Sequence, residues 1–446
     1  MTDAKRAGSP SIQNSALSRR GFLGLTGGVG LAMGLTACGG GSTGASGSGA
    51  KYTGPKVSLD FWNGFTGGDG PVMKELVRKF NAEHKNITVK MTVYEWATYY
   101  EKTPAAVASG KAPDVGIMHV DSLATNAARG VILPLDDLSQ TLKLSAGDFA
   151  EAVWTAGEYK GHRYGIPLDV HPLGFFYNKT VMEKAKLDPE SPPQTADEYA
   201  SALDALQQAG IEGMWMTPHQ FTASMTFQSL LWQHGGELFN ADATAASFGE
   251  DAGVKALTWM VDLVKDGHSR KDVGQDADVT AFQNNKTAFN WNGIWAINTY
   301  RENKDLNWGV APLPQIGPEK GAWAGSHNFV LLKQRERDDN KLSAAKVFVN
   351  WISQQSLEWA KGGQVPARKS VRESDGFAAL AEQAAIGEQV DYLRFPPATP
   401  GIGEAIEPMN DAINLAVLLK KSPSQALSEG AEKASQILEE NAKKYQ

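Results

Sequence analysis

From residue 57 onward, short apolar runs alternate with amphipathic stretches, and this alternation is the tightest constraint on the fold. Val57-Ser58-Leu59-Asp60-Phe61-Trp62 changes character at every second position and is bounded by Pro55 and Gly64, which predicts a strand. Val72, Met73, Leu76, Val77 and Phe80 then recur at helical spacing behind Pro71, a residue suited to the first turn of a helix. Residues 87–93 and 114–120 predict two more strands, followed by helices over 99–109 and 122–129 respectively. Strand and helix in alternation imply a parallel α/β sheet, whose ligands gather at the carboxyl ends of the strands. Trp62 and Asp121 stand at two of those ends.

A second α/β run begins near Gly174. It reads as strand 173–177, helix 196–209, strand-like 213–217, helices 226–234 and 251–265, and strands 308–314 and 328–333. Amphipathic helices follow over 342–353 and 423–445, and no repeat of fixed period is present. The body from Pro55 to Gln446 is 392 residues, too long for one compact core and suited to two domains.

The first 37 residues have a different character. Arg19 and Arg20 precede a glycine-rich apolar stretch that ends in Leu35-Thr36-Ala37-Cys38, the layout of an export signal. The 16 residues from Phe22 to Ala37 fall short of the roughly 20 apolar residues a spanning helix wants. The arginine pair resembles a twin-arginine signal, and LTAC resembles a bacterial lipobox, in which the cysteine is acylated after cleavage. Cys38 is the single cysteine of the chain, so no internal disulfide is available. The expectation is removal of residues 1–37, a two-chain lipid anchor on Cys38, and attachment to the extracytoplasmic face of a bacterial cell membrane. Residues 39–54 are Gly/Ser-rich, a flexible tether with a reach of about 20–24 Å. The formal charge of −7 becomes −10 once the signal, four basic residues against one acidic, is gone. So acidic a body is a poor partner for nucleic acid.

One segment carries a family resemblance. PLDVHPLGFFYNKTVMEK, residues 167–184, resembles the signature of the extracellular solute-binding proteins that include the maltose-binding protein and feed ABC importers. Residues 110–138, 285–297, 308–317 and 326–366 resemble further stretches of that family, in the same order. The resemblance implies a two-lobed periplasmic-binding-protein fold, each lobe a mainly parallel sheet flanked by helices, joined by a hinge that closes on ligand. By position, chain crossings fall near Asp169–Pro172, Ala324–His327 and Arg372–Phe377. Lobe one then comprises 55–169 and 326–373, and lobe two 170–325 and 374–446.

Sugars present apolar C–H faces rimmed by hydroxyls, so a site for them needs aromatic platforms with carboxylates, amides or backbone groups around them. Trp62 is read as such a platform or as a core residue capping the sheet. Asn63 and Asp69 lie in the glycine-rich loop after it, where Asp69 either meets ligand or terminates the following helix. Asp121 matches a family aspartate that accepts from sugar hydroxyls, or else caps the helix that follows. His171, at the first crossing, is read as a ligand contact or a hinge hydrogen bond, and Asp169 as structural. Trp295 matches a stacking aromatic of the family; Trp291 and Asn292 precede it on a strand whose alternation lets only one or two of these face a ligand. Gln220 and Phe221 fall where the family places another cleft aromatic. Trp323 and His327 border the second crossing, and Arg394 lies in a stretch that in several relatives reaches back to the ligand. Trp154, Trp232, Trp259, Trp351 and Trp359 sit in amphipathic contexts and are read as core.

The eight histidines are scattered, with no HExxH and no pair at ligating helical spacing, so no metal or other cofactor is expected. Nor does the body contain a G-x-S-x-G or P-loop pattern. The expected function is a monomeric, lipid-anchored substrate-binding component of an ABC importer, handing an oligosaccharide to a membrane permease. A glycerophosphodiester or other polar metabolite in the same fold is the nearest rival, and a surface glycoside hydrolase or an adhesin a more distant one.

Overall fold

The computed structural model describes residues 52–445 apart from Ser145 and Gln220. The expected export signal, Cys38, the expected tether as far as Lys51 and the candidate Gln220 therefore lie outside the described residues. Among the described residues no helix is long and apolar enough to cross a membrane.

Lobe one is built on the predicted alternation. Strands β1 (Val57–Asn63), β2 (Ile87–Val93) and β3 (Val115–His119) pair in parallel, with β1 between the other two. Leu59 and Phe61 point into the core while Asp60 between them is exposed, the period of two that the sequence displays. Helix α1 (Gly70–Glu83) buries Met73, Leu76, Val77 and Phe80 against this sheet. Phe61 meets Phe348 of the helix Asp339–Gln354 edge-on at 5.2 Å. Helix α2 (Trp96–Ser109) ends at Gly110, whose φ of 71° is the left-handed turn a helix C-terminus favours. Helix α3 (Val120–Ala128) follows β3 directly.

A small hairpin, β4 (Glu158–Tyr159) with β5 (His162–Arg163), leads to β6 (Ile166–Pro167), which joins the first sheet beside β11 (His327–Leu331). The second sheet is organised on β7 (Asp169–Asn178), ten residues that are all buried. Around β7 lie β8 (Phe289–Gly293), β9 (Trp308–Ala311), β10 (Ala322–Gly325) and β12 (Val365–Pro366), while β13 (Leu393–Arg394) pairs with β10 in parallel.

Two expectations need correction here. The second sheet is not mainly parallel in its pairings: β7 is antiparallel to β8, β9, β10 and β12. A chain that enters this lobe along β7 and returns to the first sheet along β10 must run those two strands in opposite senses. The strand-like 213–217 is irregular; the Gly213 carbonyl accepts from the N–H groups of Ala288 and Phe289, and no ladder forms.

The chain passes between the sheets at Leu168, one residue ahead of the expected Asp169–Pro172, and at Ser326, which lies within the expected Ala324–His327. The third passage is over residues 361–364, ahead of the expected 372–377, because Val365 and Pro366 already pair with Val170 and Asp169. A two-residue strand leaves no periodic signal to mark it. The helices Ile402–Val417 and Pro423–Lys444 close the chain, and they touch α3: the Gly401 N–H donates to Thr125 Oγ1 at 2.9 Å, and Arg129 to the Tyr445 hydroxyl at 2.6 Å.

Candidate functional site

Three strand ends converge at the crossings. β3 ends in His119, β11 begins with His327 directly opposite it in antiparallel register, and β7 places His171 opposite Gly325 of β10. The imidazoles of His119, His171 and His327 consequently meet, with centroids 4.3 Å apart for His171 and His327 and 5.0 Å for His119 and His327. Gly325 permits this: a Cβ there would lie 2.1 Å from His171 Nε2.

Asp169, fully buried, holds the cluster from beneath. Its Oδ1 accepts from His171 Nδ1 at 3.1 Å and from the His327 N–H at 3.0 Å. Its Oδ2 accepts from His327 Nδ1 at 2.8 Å and from Trp359 Nε1 at 2.7 Å. Burial opposes the charge on Asp169, but the charge of His327 and the hydrogen bonds from both histidines outweigh it and hold the carboxyl well below the usual range. His327 is the counterpart: burial lowers its pKa, and Asp169, with help from Asp69, raises it above the ordinary imidazole value. Burial and the neighbouring His327 push His171 down to about 4. Burial, then the charges of His327 and His171, push His119 well below its ordinary value.

Aromatic rings wall this centre. Trp96 stacks on His327 at 5.6 Å and 12° and meets His119 at 4.2 Å. It occupies the place a side chain at Gly64 would take, since a Cβ there would fall 2.1 Å from the indole. Phe65 lies edge-on to His327 at 5.0 Å, and from lobe two Trp295 and Trp323 approach His171 at 6.3 and 6.2 Å. Tyr100 Oη lies 2.8 Å from His119 Nδ1 and accepts from the His119 N–H at 2.9 Å.

Of the residues singled out in the sequence, His171, His327, Trp295 and Trp323 are brought together here. Trp62 is half-buried at the end of β1, edge-on to Tyr94 at 5.1 Å. Asn63 is buried; its Oδ1 takes the Phe65 N–H at 3.2 Å and its Nδ2 has no partner. Asp69 precedes α1 but its side chain caps nothing; Oδ2 faces Gln364 Nε2 at 3.4 Å, and Oδ1 is buried and unpaired. Burial raises its carboxyl pKa. Asp121 lies exposed in the first turn of α3, and desolvation raises its pKa as well.

Others stand apart. Trp291 is 2 % exposed and packs on Trp259 and Tyr199 at 5.4 and 6.1 Å, inside the core of lobe two and away from the histidines. Asn292, on the opposite face of β8, is buried and accepts the Gly293 N–H with its own Oδ1. Phe221 is 65 % exposed and takes φ 68°, ψ −97°. Arg394 is ion-paired with Glu237, its guanidinium 5.5 Å from the Trp232 ring, so its charge is already matched.

Sequence reasoning missed His119, Trp96, Tyr100 and the reach of Trp359 into the site. His119 was within range of it: this residue ends a strand, by the same argument that singled out Asp121. Trp359 does lie in the core, fully buried, yet its N–H serves Asp169.

The sequence pattern of the family described as bacterial extracellular solute-binding protein matches residues 75–385. A Brucella abortus protein whose name calls it a binding protein without giving a ligand is 25% identical over 383 residues, covering 83% of this chain and 90% of that one. Among solved structures, the sugar-binding protein MalE of Xanthomonas citri superposes with a TM-score of 0.77 at 22% identity, over 87% of this chain and 99% of its own. UgpB from Mycobacterium tuberculosis, in complex with glycerophosphocholine, gives 0.75 at 19% identity, over 87% and 100%. At such identities the likeness speaks for a shared two-lobed fold.

Proposed function

The chain belongs to the bacterial extracellular solute-binding protein family, the ligand-capturing components of ABC transporters and not a family of enzymes, and we propose that this member captures an oligosaccharide between its lobes. The observation that carries the reading is an aromatic-walled centre whose strongest charges compensate one another. His327 is matched by Asp169, and Arg394 by Glu237. A phosphate would ask for unmatched guanidinium groups; a neutral polyol asks for ring faces and polar edges. Trp96, Trp295 and Trp323 supply the faces. Asp121, Asn63 Nδ2 and Asp69 Oδ1 supply edges, the last two being buried polar atoms without partners of their own. A micromolar dissociation constant needs only about −8 kcal/mol, within reach of two stacked rings and a few hydrogen bonds to a carboxylate at about 1.5–3 kcal/mol each.

A thermal-shift panel followed by titration calorimetry tests this, because a ligand that binds only the folded state raises the melting temperature. Malto-oligosaccharides and other neutral glycans are the expected hits. A glycerophosphodiester that binds more tightly than every glycan tried would overturn the reading. That second reading has one observation in its favour: the same indoles would accept the quaternary ammonium of a choline headgroup.

We further propose that Cys38 carries the lipid anchor and that the body works as a monomer beside a membrane permease. Detergent partitioning of the protein from bacterial membranes should be lost in Cys38→Ser, and light scattering should return one chain per particle. A Cys38→Ser protein that still partitions with detergent removes the anchor.

A further inference from the structure

We propose that His119, His171 and His327 form a binding site for a divalent transition metal of the zinc class, set across the hinge. Each ring can offer one nitrogen such that all three lie within 4.8 Å of one another. The second nitrogens show which atoms face inward. Nδ1 of His171 and of His327 donates to Asp169, and Nδ1 of His119 lies 2.8 Å from Tyr100 Oη. In each ring Nε2 is the atom left to ligate. A histidine ligand ordinarily donates its other N–H to a carboxylate, carbonyl or similar acceptor, which fixes its tautomer and orientation. Here a buried carboxylate orients two rings and a phenol oxygen the third.

The donor set suits zinc, nickel or cobalt, and three imidazoles leave a fourth position open. In a tetrahedral site with bonds of about 2.0–2.1 Å the nitrogens lie about 3.4 Å apart, so the rings must draw in slightly. They can: His119 and His327 stand on the first sheet and His171 on the second, each within three residues of a crossing or of the strand paired with it. A bound ion would therefore tie the lobes together, and its open position would face the space walled by Trp96, Trp295 and Trp323. The inference does not depend on which solute the protein carries.

Tag-free protein, stripped with chelator, is dialysed against Zn2+ and, separately, Co2+. The expected result is one ion per chain, visible Co2+ absorption of tetrahedral intensity, and three nitrogen ligands at about 2.0–2.1 Å by X-ray absorption. His119→Ala, the least buried of the three, should abolish uptake while its melting curve stays cooperative. Tyr100→Phe, which keeps all three ligands and removes one orienting group, should weaken uptake about 10-fold or more. Absence of stoichiometric uptake by the parent protein, or uptake that persists in folded His119→Ala, overturns the proposal. Glycan titrations in chelator run alongside, so a failure of sugar capture is read separately from a failure of metal binding.

Discussion

The indole nitrogen of Trp359 donates to Oδ2 of Asp169 at 2.7 Å, joining the last helical turn of lobe one to the first strand of lobe two. The same carboxylate serves His171 and His327, so four donors depend on one buried acceptor group. Replacing it by alanine strands them all. Asp169→Ala is expected to lose about 3–5 kcal/mol of stability, read as a lower urea midpoint, with Asp169→Asn intermediate. A loss below about 1 kcal/mol, the value of one ordinary hydrogen bond, would refute the role given to this residue.

Trp295 is 38 % exposed beside His171, so truncating it removes little packing. Trp295→Ala is expected to weaken glycan binding at least about tenfold, or 1.4 kcal/mol, while the melting temperature moves little. Unchanged calorimetric affinity would take the residue out of the site.

Trp291 is expected to behave in the opposite way. Its ring is buried against Trp259 and Tyr199, and Trp291→Ala should cost about 3–5 kcal/mol of folding stability. Measured well below its melting point, the variant should bind solute as the parent does. A selective loss of affinity in a protein of unaltered stability would restore Trp291 to the cleft.

Phe221 adopts a backbone conformation close to a strained γ-turn, at φ 68° and ψ −97°. Such strain costs about 1–3 kcal/mol. Phe221→Gly should therefore be neutral or stabilising, and Phe221→Val, β-branched at positive φ, destabilising. Equal melting temperatures for the two variants would argue against strain. A drop in affinity in the glycine variant would show what the strain serves.

Asp278 is buried, accepts from Asn290 Nδ2 at 2.9 Å, and has its pKa raised chiefly by that burial. With the folded pKa above the unfolded one, the native state holds more protons. Stability is then greatest below the ordinary carboxylate pKa and declines as pH rises through the folded value. Asp278→Asn removes this dependence, so the variant should gain on the parent over the pH range above the ordinary carboxylate pKa of about 4. Parallel denaturation midpoints across that range would contradict the assignment.

Much of lobe one was legible because β1 and β2 alternate visibly, as in Leu59, Asp60 and Phe61, and α1 repeats its apolar residues at helical spacing. The strand-end rule led to Trp62 and Asp121 for the same reason. In lobe two the contrast disappears. β8 is buried at all five positions, so alternation could not reveal that Trp291 faces the core and Asn292 does not. The histidine cluster was hidden differently: its members come from three separate strands, and their meeting depends on the antiparallel register of β11 with β3 and of β10 with β7. Arg394 was found, but its partner Glu237 is distant in the chain, and a charge cannot be called free until its neighbours are known.

The three passages of chain between the sheets converge on Asp169, whose hydrogen-bond donors come from β7, from β11 and from the helix Ser356–Ala360. Neither half of the molecule owns a complete set of them. Pulling one half open exposes the same unmatched carboxylate that the other half needs, which removes the reason for that half to persist alone. On heating, the two halves should come apart in one endotherm.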